Sequence, residues 1–237
     1  MSDHLGIVLQ VQDYKENDGL ITLLCEESKI TFLAKGIMKS TSKNRCLCQP
    51  FSLVHVTLHD SHRLPILMHG KVIQYFYKIQ EDLCAQSVFF VLRDCLLKVR
   101  SSIALYQAFL QTLQAFQNED SDAYTRACLC LKLILEQEGI APYTQGCVLC
   151  KKPSDLETIS LQDGGFLCRH CNHFSHRSFA KEDLVGIYSL FKIRQDQFDE
   201  FTNLYQLTID DFIYWANWFA YYEQISLSSI TFLESVR

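Results

Sequence analysis

The chain has 237 residues, of which 48% are hydrophobic and 21% are charged, a composition typical of a globular protein with one large domain or two modest ones. It contains no run of 18 or more apolar residues and no N-terminal basic and apolar lead, which argues against a membrane-spanning helix and a secretory signal. We therefore expect a cytoplasmic protein, in which a cluster among the 11 cysteines indicates a metal site rather than disulfides.

The net charge of −5 is unevenly spread along the chain. Residues 1–80 hold nine basic and seven acidic side chains, whereas residues 81–237 hold thirteen and twenty. The whole surface is therefore unsuited to a polyanion. Any nucleic-acid surface is expected mainly in the first third of the chain, or on local patches of the rest.

The first 80 residues are predicted to form strands. Apolar residues alternate with more polar ones, and this period of two places side chains on the two faces of a sheet in turn. Five short strands at this spacing predict a small barrel, and the Asp18-Gly19 pair is a candidate turn between the first two. The alternating runs are residues 5–11, 21–25, 30–34, 54–58 and 73–79.

An acid-free basic segment follows the third predicted strand. Its cations would attract a phosphate backbone, and the hydroxyl side chains at 40–42 would add hydrogen bonds, although a solvated loop rich in lysine is the competing interpretation. The four candidate DNA-binding residues are Lys35, Lys39, Lys43 and Arg45. The candidates for base stacking, each of which could belong to the core instead, are Phe32, Phe51, Tyr75 and Tyr77.

From about residue 81 the apolar spacing becomes helical. Asp120-Ser121-Asp122 is a candidate N-terminal cap for the third helix, and Gly139 is its candidate stop. Thr208 and Asp211 resemble a capping box at the start of the last helix. Helices are predicted over residues 83–100, 103–116, about 123–137, 181–191 and 208–224. The fold class expected is α+β, with a barrel at 1–80 and a helical domain at 81–237.

Two C-x-x-C pairs lie seventeen residues apart in a loop-rich stretch at 143–180. Each tight turn can aim two sulfurs at one ion, and a short hairpin between the pairs would bring the turns together. Four thiolates then complete a tetrahedron around Zn²⁺ with bonds of roughly 2.3 Å, a closed and therefore structural site. The ligands predicted are Cys147, Cys150, Cys168 and Cys171.

Two alternatives to zinc are four thiols without metal and a redox dithiol. The nearby His170, His173 and His176 could substitute as ligands, but four cysteines suffice, and the histidines are left out of the predicted set. The chain contains no G-x-x-x-x-G-K-[ST] loop, and no Ser/His/Asp arrangement is supported by spacing. A non-enzymatic protein is therefore expected.

Five short segments follow one another along the chain: GIVL (6–9), DYKEND (13–18), LITL (20–23), AKG (34–36) and QPF (49–51). Together they resemble the RecO family of bacterial recombination mediators, in which they appear in the same order. The cysteine cluster at 147–171, with Gly164-Gly165 before its second pair, is similar to the zinc element of the zinc-containing members. Ile37-Met38 stand here where the family often has basic residues.

The resemblance implies an N-terminal OB-fold joined to a helical domain with a zinc insertion. It implies a nucleoid-associated protein that binds single- and double-stranded DNA and anneals complementary strands. It also implies partners: RecR, the acidic C-terminal tail of single-strand-binding protein (SSB) and, indirectly, the RecA recombinase. Arg126 and Lys132 are candidate cations for that tail. A zinc-containing protein-interaction adaptor with only minor DNA contact is the alternative function.

Overall fold

A computed structural model describes residues 1–61, 63–173 and 178–237. The chain divides into two compact units, the first made of residues 1–123 and 228–237 and the second of residues 124–227. The expected α+β class is confirmed, because a closed five-stranded barrel is followed by helices. The expected domain boundary at residue 80 stays a prediction. Within the described residues, no helix combines the length and apolarity needed to cross a membrane.

The barrel has the OB-fold strand order β1-β2-β3-β5-β4, and β4 pairs back with β1 to close it. All neighbouring strands are antiparallel except β3 and β5, which pair in parallel at Leu33 and Ile66. The strands are β1 (Ser2–Tyr14), β2 (Asp18–Leu24), β3 (Lys29–Ala34), β4 (Leu53–His59) and β5 (Ile66–Gln74).

Alternate residues of the strands fill the barrel, as the period of two predicts. The segment 35–52 between β3 and β4 adds two buried side chains to this core, Ile37 and Leu47. Leu47 belongs to a short 3-10 helix, Arg45–Cys48. The connection is therefore pinned to the barrel at two apolar points. The strand residues of the core include Val8, Ile21, Leu23, Phe32, Val54, Val56 and Leu58.

Two details of the predicted barrel are wrong. The fifth strand ends at Gln74, and Tyr77–Glu81 form a short helix, α1, because Phe76 and Ile79 are buried at helical spacing. The Asp18-Gly19 pair is not the first turn, since both residues begin β2. The turn is residues 15–17, and Lys15 has the positive φ of +56°.

The other helices of the first unit are α2 (Leu83–Lys98), α3 (Ile103–Asn118) and α8 (Ser228–Val236). Phe51, at the end of the segment 35–52, packs its ring at 5.6 Å from Phe89 of α2 and 6.4 Å from Phe109 of α3. The hydroxyl of Ser229 donates to Asp94 at 2.7 Å, so α8 packs against α2. The first unit is therefore one barrel-plus-helix body.

The second unit contains α4 (Ala123–Gln137, whose first residue belongs to the first unit), a hairpin of β6 (Leu156–Ser160) and β7 (Gly165–Cys168), α5 (Lys181–Lys192), α6 (Phe198–Leu204) and α7 (Ile209–Tyr222). All five predicted helices are confirmed to within two residues or so at each end. The capping box at Thr208 and the stop at Gly139, with φ of +70°, are confirmed as well. The sequence did not predict α1, α6 or α8.

Candidate metal centre and nucleic-acid surface

The four predicted metal ligands lie together in the second unit. The hairpin expected between the two C-x-x-C pairs is present as β6 and β7, and it brings the two turns against each other. The sulfur atoms all lie within 4.8 Å of one another, and those of Cys150 and Cys168 are 3.7 Å apart. Three of the cysteines are buried, and Cys150 is exposed. The cluster could hold a metal ion.

Backbone geometry explains why the hairpin folds this way. The N–H of Lys151 donates to the carbonyl of Cys147 at 2.8 Å, and Asn172 makes the matching bond to Cys168 at 3.0 Å. The two turns are thus alike, and each closes around its own pair of sulfurs. Gly164 occupies the hairpin turn with φ of +82°, a conformation that favours glycine.

The sulfur geometry fits Zn²⁺. Four thiolates at tetrahedral corners around zinc lie about 3.8 Å apart when the bonds are about 2.3 Å long. The 3.7 Å between Cys150 and Cys168 matches this separation and is far longer than a disulfide bond of about 2.05 Å. An all-sulfur donor set is also one that zinc prefers.

The electrostatics of the cluster also favour a cation. Burial raises the pKa of Cys147, but hydrogen bonds from backbone N–H groups, including those of Cys150 and Cys168, outweigh it and lower the pKa to about 6. Burial and the neighbouring cysteines raise the pKa of Cys171 to about 12. The four sulfurs therefore resist being thiolates together unless a positive ion compensates their charge.

The histidines near the cluster do not join it in the described residues. His170 and His173 are exposed, with ring centroids 6.4 Å apart, and the metal-competent group contains the four cysteines without them. His176 lies outside the described residues. The sequence did not anticipate the support that α7 gives the hairpin. Tyr222 donates its hydroxyl to the carbonyl of Leu161 at 2.9 Å, a contact across 61 residues that no local pattern reveals.

The predicted DNA-binding cations all lie on the connection between β3 and β4 and are all exposed. The start of this connection is fixed to the barrel, because Gly36 donates to Asp18 at 2.7 Å and Met38 to the Asn17 carbonyl at 3.0 Å. Among the described residues, no ion pair within 4.0 Å involves Lys35, Lys39, Lys43 or Arg45. Their role in DNA binding stays a prediction.

The four aromatic candidates divide into two groups. Phe32 and Phe51 are 0% and 1% exposed, so the core interpretation holds for both. Tyr75 is half-buried, and Tyr77 is 60% exposed.

The two cations predicted to bind a partner already have partners within the second unit. Arg126 on α4 forms an ion pair with Asp199 at 3.0 Å. Lys132 is buried, donates to the Ile193 carbonyl at 2.7 Å and lies 2.9 Å from Glu136. An incoming carboxylate would have to compete with these bonds, and the partner-binding role stays a prediction.

These features define a class. The chain is an OB-fold protein in which an acid-free basic connection lies on the barrel and a helical body contains a four-cysteine cluster that could hold a metal ion.

Comparison with known proteins gives the family. Residues 1–76 match the family model described as Recombination protein O N terminal, and residues 83–183 match Recombination protein O C terminal. The DNA repair protein RecO of Syntrophomonas wolfei is 30% identical over 195 residues, which cover 80% of this chain and 78% of that relative. The RecO of Bacillus pumilus is 30% identical over 171 residues, covering 70% of this chain and 66% of the relative. The chain belongs to the RecO family of DNA repair proteins.

Proposed function

We propose that the protein is a non-enzymatic recombination mediator that binds single- and double-stranded DNA and anneals complementary strands. In this role it works with RecR to load RecA onto single-stranded DNA coated by SSB. Membership of a DNA repair family supports this function. The structural observation that carries the DNA-binding step is the exposed basic connection on the OB barrel.

The connection is suited to phosphate contact for two reasons. Ile37 and Leu47 are buried in the barrel core, so the cations between and beside them are held on a fixed support. Because the segment contains no acid, its cations are available to phosphates. Contacts of this kind give affinity without sequence preference, which suits a protein that must act on any damaged strand.

We propose in addition that the four cysteines hold one structural zinc ion. Four sulfur ligands fill a tetrahedral site and leave no position for a substrate, so the ion would supply stability to the hairpin rather than catalysis. The fit rests on the 3.7 Å sulfur separation and on the burial of three of the four ligands.

The DNA-binding proposal is tested by a salt series with a single-stranded oligonucleotide. Each phosphate contact to a single strand contributes about −0.7 to the slope of log affinity against log salt. The triple variant Lys39→Ala/Lys43→Ala/Arg45→Ala should therefore bind more weakly and lose about 2 from the slope. The matched control removes three cations of the helices, Lys98, Lys181 and Lys192, and should keep the wild-type slope.

Equal affinity and slope in the triple variant and the wild type would show that the DNA contact lies elsewhere. Equal losses of affinity and of salt slope in the triple variant and the control would show that the effect follows net charge alone. That result would likewise contradict the assigned surface.

The alternative is an adaptor that binds the acidic tail of SSB and touches DNA only weakly. It is favoured by Leu204, 77% exposed at the end of α6, the helix whose Asp199 pairs with Arg126. If Arg126 binds the tail, Asp199→Ala removes a competing carboxylate and should strengthen binding of a tail peptide, whereas Arg126→Ala should weaken it. Lys132→Met extends the test to the second candidate, with thermal melting as its folding control. Unchanged peptide affinity in all three variants contradicts the assignment.

A further inference from the structure

Two tyrosines after the last barrel strand form an aromatic pair, of which one ring is half-buried and the other is exposed. The ring centroids of Tyr75 and Tyr77 are 5.2 Å apart, and the rings are inclined by 31°. Their neighbours Phe76 and Ile79 are buried, so the chain uses other side chains to pack this region. The backbone on both sides of the pair is therefore fixed by buried residues, while the ring of Tyr77 remains accessible to solvent.

The pair lies beside the basic connection. The Tyr75 hydroxyl lies close enough to the thiol of Cys46 to interact with it, and Cys46 directly follows Arg45. Gln80 of α1 donates to the carbonyl of Pro50 at 3.4 Å, which joins the helix that begins at Tyr77 to the same connection. Burial first, and then Cys46 and Tyr77, raise the pKa of the Tyr75 hydroxyl, so it carries no negative charge that would repel phosphate.

We propose that Tyr75 and Tyr77 form a stacking platform for the unpaired bases of a single strand whose phosphates contact the basic connection. This proposal rests on the proposed DNA-binding function and adds a way to recognise single strands. Phosphate contacts alone hardly distinguish a single strand from a duplex. An exposed aromatic face does distinguish them, because the bases of a duplex are already stacked on one another, whereas an unpaired base of any sequence can stack on a ring.

The geometry assigns different parts to the two rings. Tyr77 is 60% exposed and offers the open face to a base. Tyr75 is half-buried, its ring lies against that of Tyr77, and its hydroxyl interacts with Cys46. Lys71 of β5, four residues before Tyr75, is also exposed.

The test compares Tyr77→Ala, Tyr77→Phe and the control Tyr221→Ala, which removes a tyrosine of similar exposure in the second unit. Binding of the full-length chain is measured to a single strand, to a duplex and to a single strand in which abasic sites replace several nucleotides. Tyr77→Ala should weaken binding to the intact single strand about tenfold. It should leave duplex binding and the salt slope unchanged, because stacking involves no counterion release. Tyr77→Phe and Tyr221→Ala should bind as the wild type does.

The abasic strand separates stacking from a change of fold. The abasic strand keeps every phosphate and lacks the bases at the replaced positions. The wild type should therefore bind it about as weakly as Tyr77→Ala binds the intact strand. Tyr77→Ala should bind the two strands equally. If Tyr77→Ala binds the intact strand as tightly as the wild type does, while the triple variant of the basic connection loses affinity, the platform is refuted and the DNA-binding function stands. If the wild type binds no single-stranded DNA, both are refuted.

Discussion

Lys29 shows how one side chain can join the barrel to the helices. It is the first residue of β3, and its ammonium group donates to three carbonyls at the C-terminal end of α2. The distances are 2.6 Å to Leu96, 3.1 Å to Leu97 and 2.5 Å to Val99. A cation at this position satisfies carbonyls that lack helical partners and compensates the negative end of the helix dipole.

Replacing Lys29 with methionine keeps the aliphatic length and removes the three donors. We expect the free energy of unfolding to fall by about 2 kcal/mol, since the bonds lost are made by a charged group. Urea unfolding followed by circular dichroism measures the change. Lys98→Met, which alters an exposed lysine at the same helix end, should cost only a few tenths of a kcal/mol. Equal effects of the two changes would mean that the carbonyl contacts of Lys29 contribute little.

Residue-level prediction from the sequence succeeded where the chemistry is local. The cysteines were found because two C-x-x-C pairs constrain four sulfurs whatever the rest of the fold does. The roles of Lys29 and Lys132 could not be read from the sequence, because their carbonyl partners lie 67 and 61 residues away. A lysine that caps a distant helix and a lysine in water have the same local sequence pattern.

At the scale of elements, the stability of the β6–β7 hairpin and its four cysteines should depend on a bound metal ion. We expect one zinc per chain by elemental analysis. Stripping the metal with a chelator should lower the melting temperature, because the ion would join the two C-x-x-C turns and its binding free energy would be lost. Cys168→Ser should lose the zinc and melt at a lower temperature. Cys46→Ser, which changes an exposed cysteine outside the cluster, should keep the zinc content and the melting temperature of the wild type. A stripped chain that melts at the holo temperature would contradict a structural role.

The elements differ in how far the sequence reveals them. Strands β1 to β4 and the long helices were predicted because one face of each is buried, which imposes a clear period. The fifth strand was misplaced because two of its apolar residues, Met68 and Ile73, face solvent, so its apolar residues do not mark the buried face. The short helices α1, α6 and α8 span at most nine residues, which is too few for a helical period to stand out.

At the scale of the whole molecule, the first unit contains a helix, α8, that follows the entire second unit in the chain. Leu233 of α8 is fully buried, whereas its neighbour Phe232 is 45% exposed. We therefore expect Leu233→Ala to destabilise the first unit by about 2–4 kcal/mol and Phe232→Ala to have a much smaller effect. Hydrogen exchange of the amides of α2 measures the change at the helix that α8 covers. Unaltered exchange in Leu233→Ala would mean that the barrel and its helices are stable without α8.

Because α8 follows the entire second unit, the order of synthesis differs from the order of assembly. Residues 1–123 leave the ribosome before the 104 residues of the second unit, and α8 follows that unit. At translation rates of about 5–20 residues per second, the uncovered face of α2 would wait roughly 5–20 s for its partner helix. During that interval the nascent chain presents an apolar helix surface, so a chaperone that shields such surfaces would improve the yield of native protein.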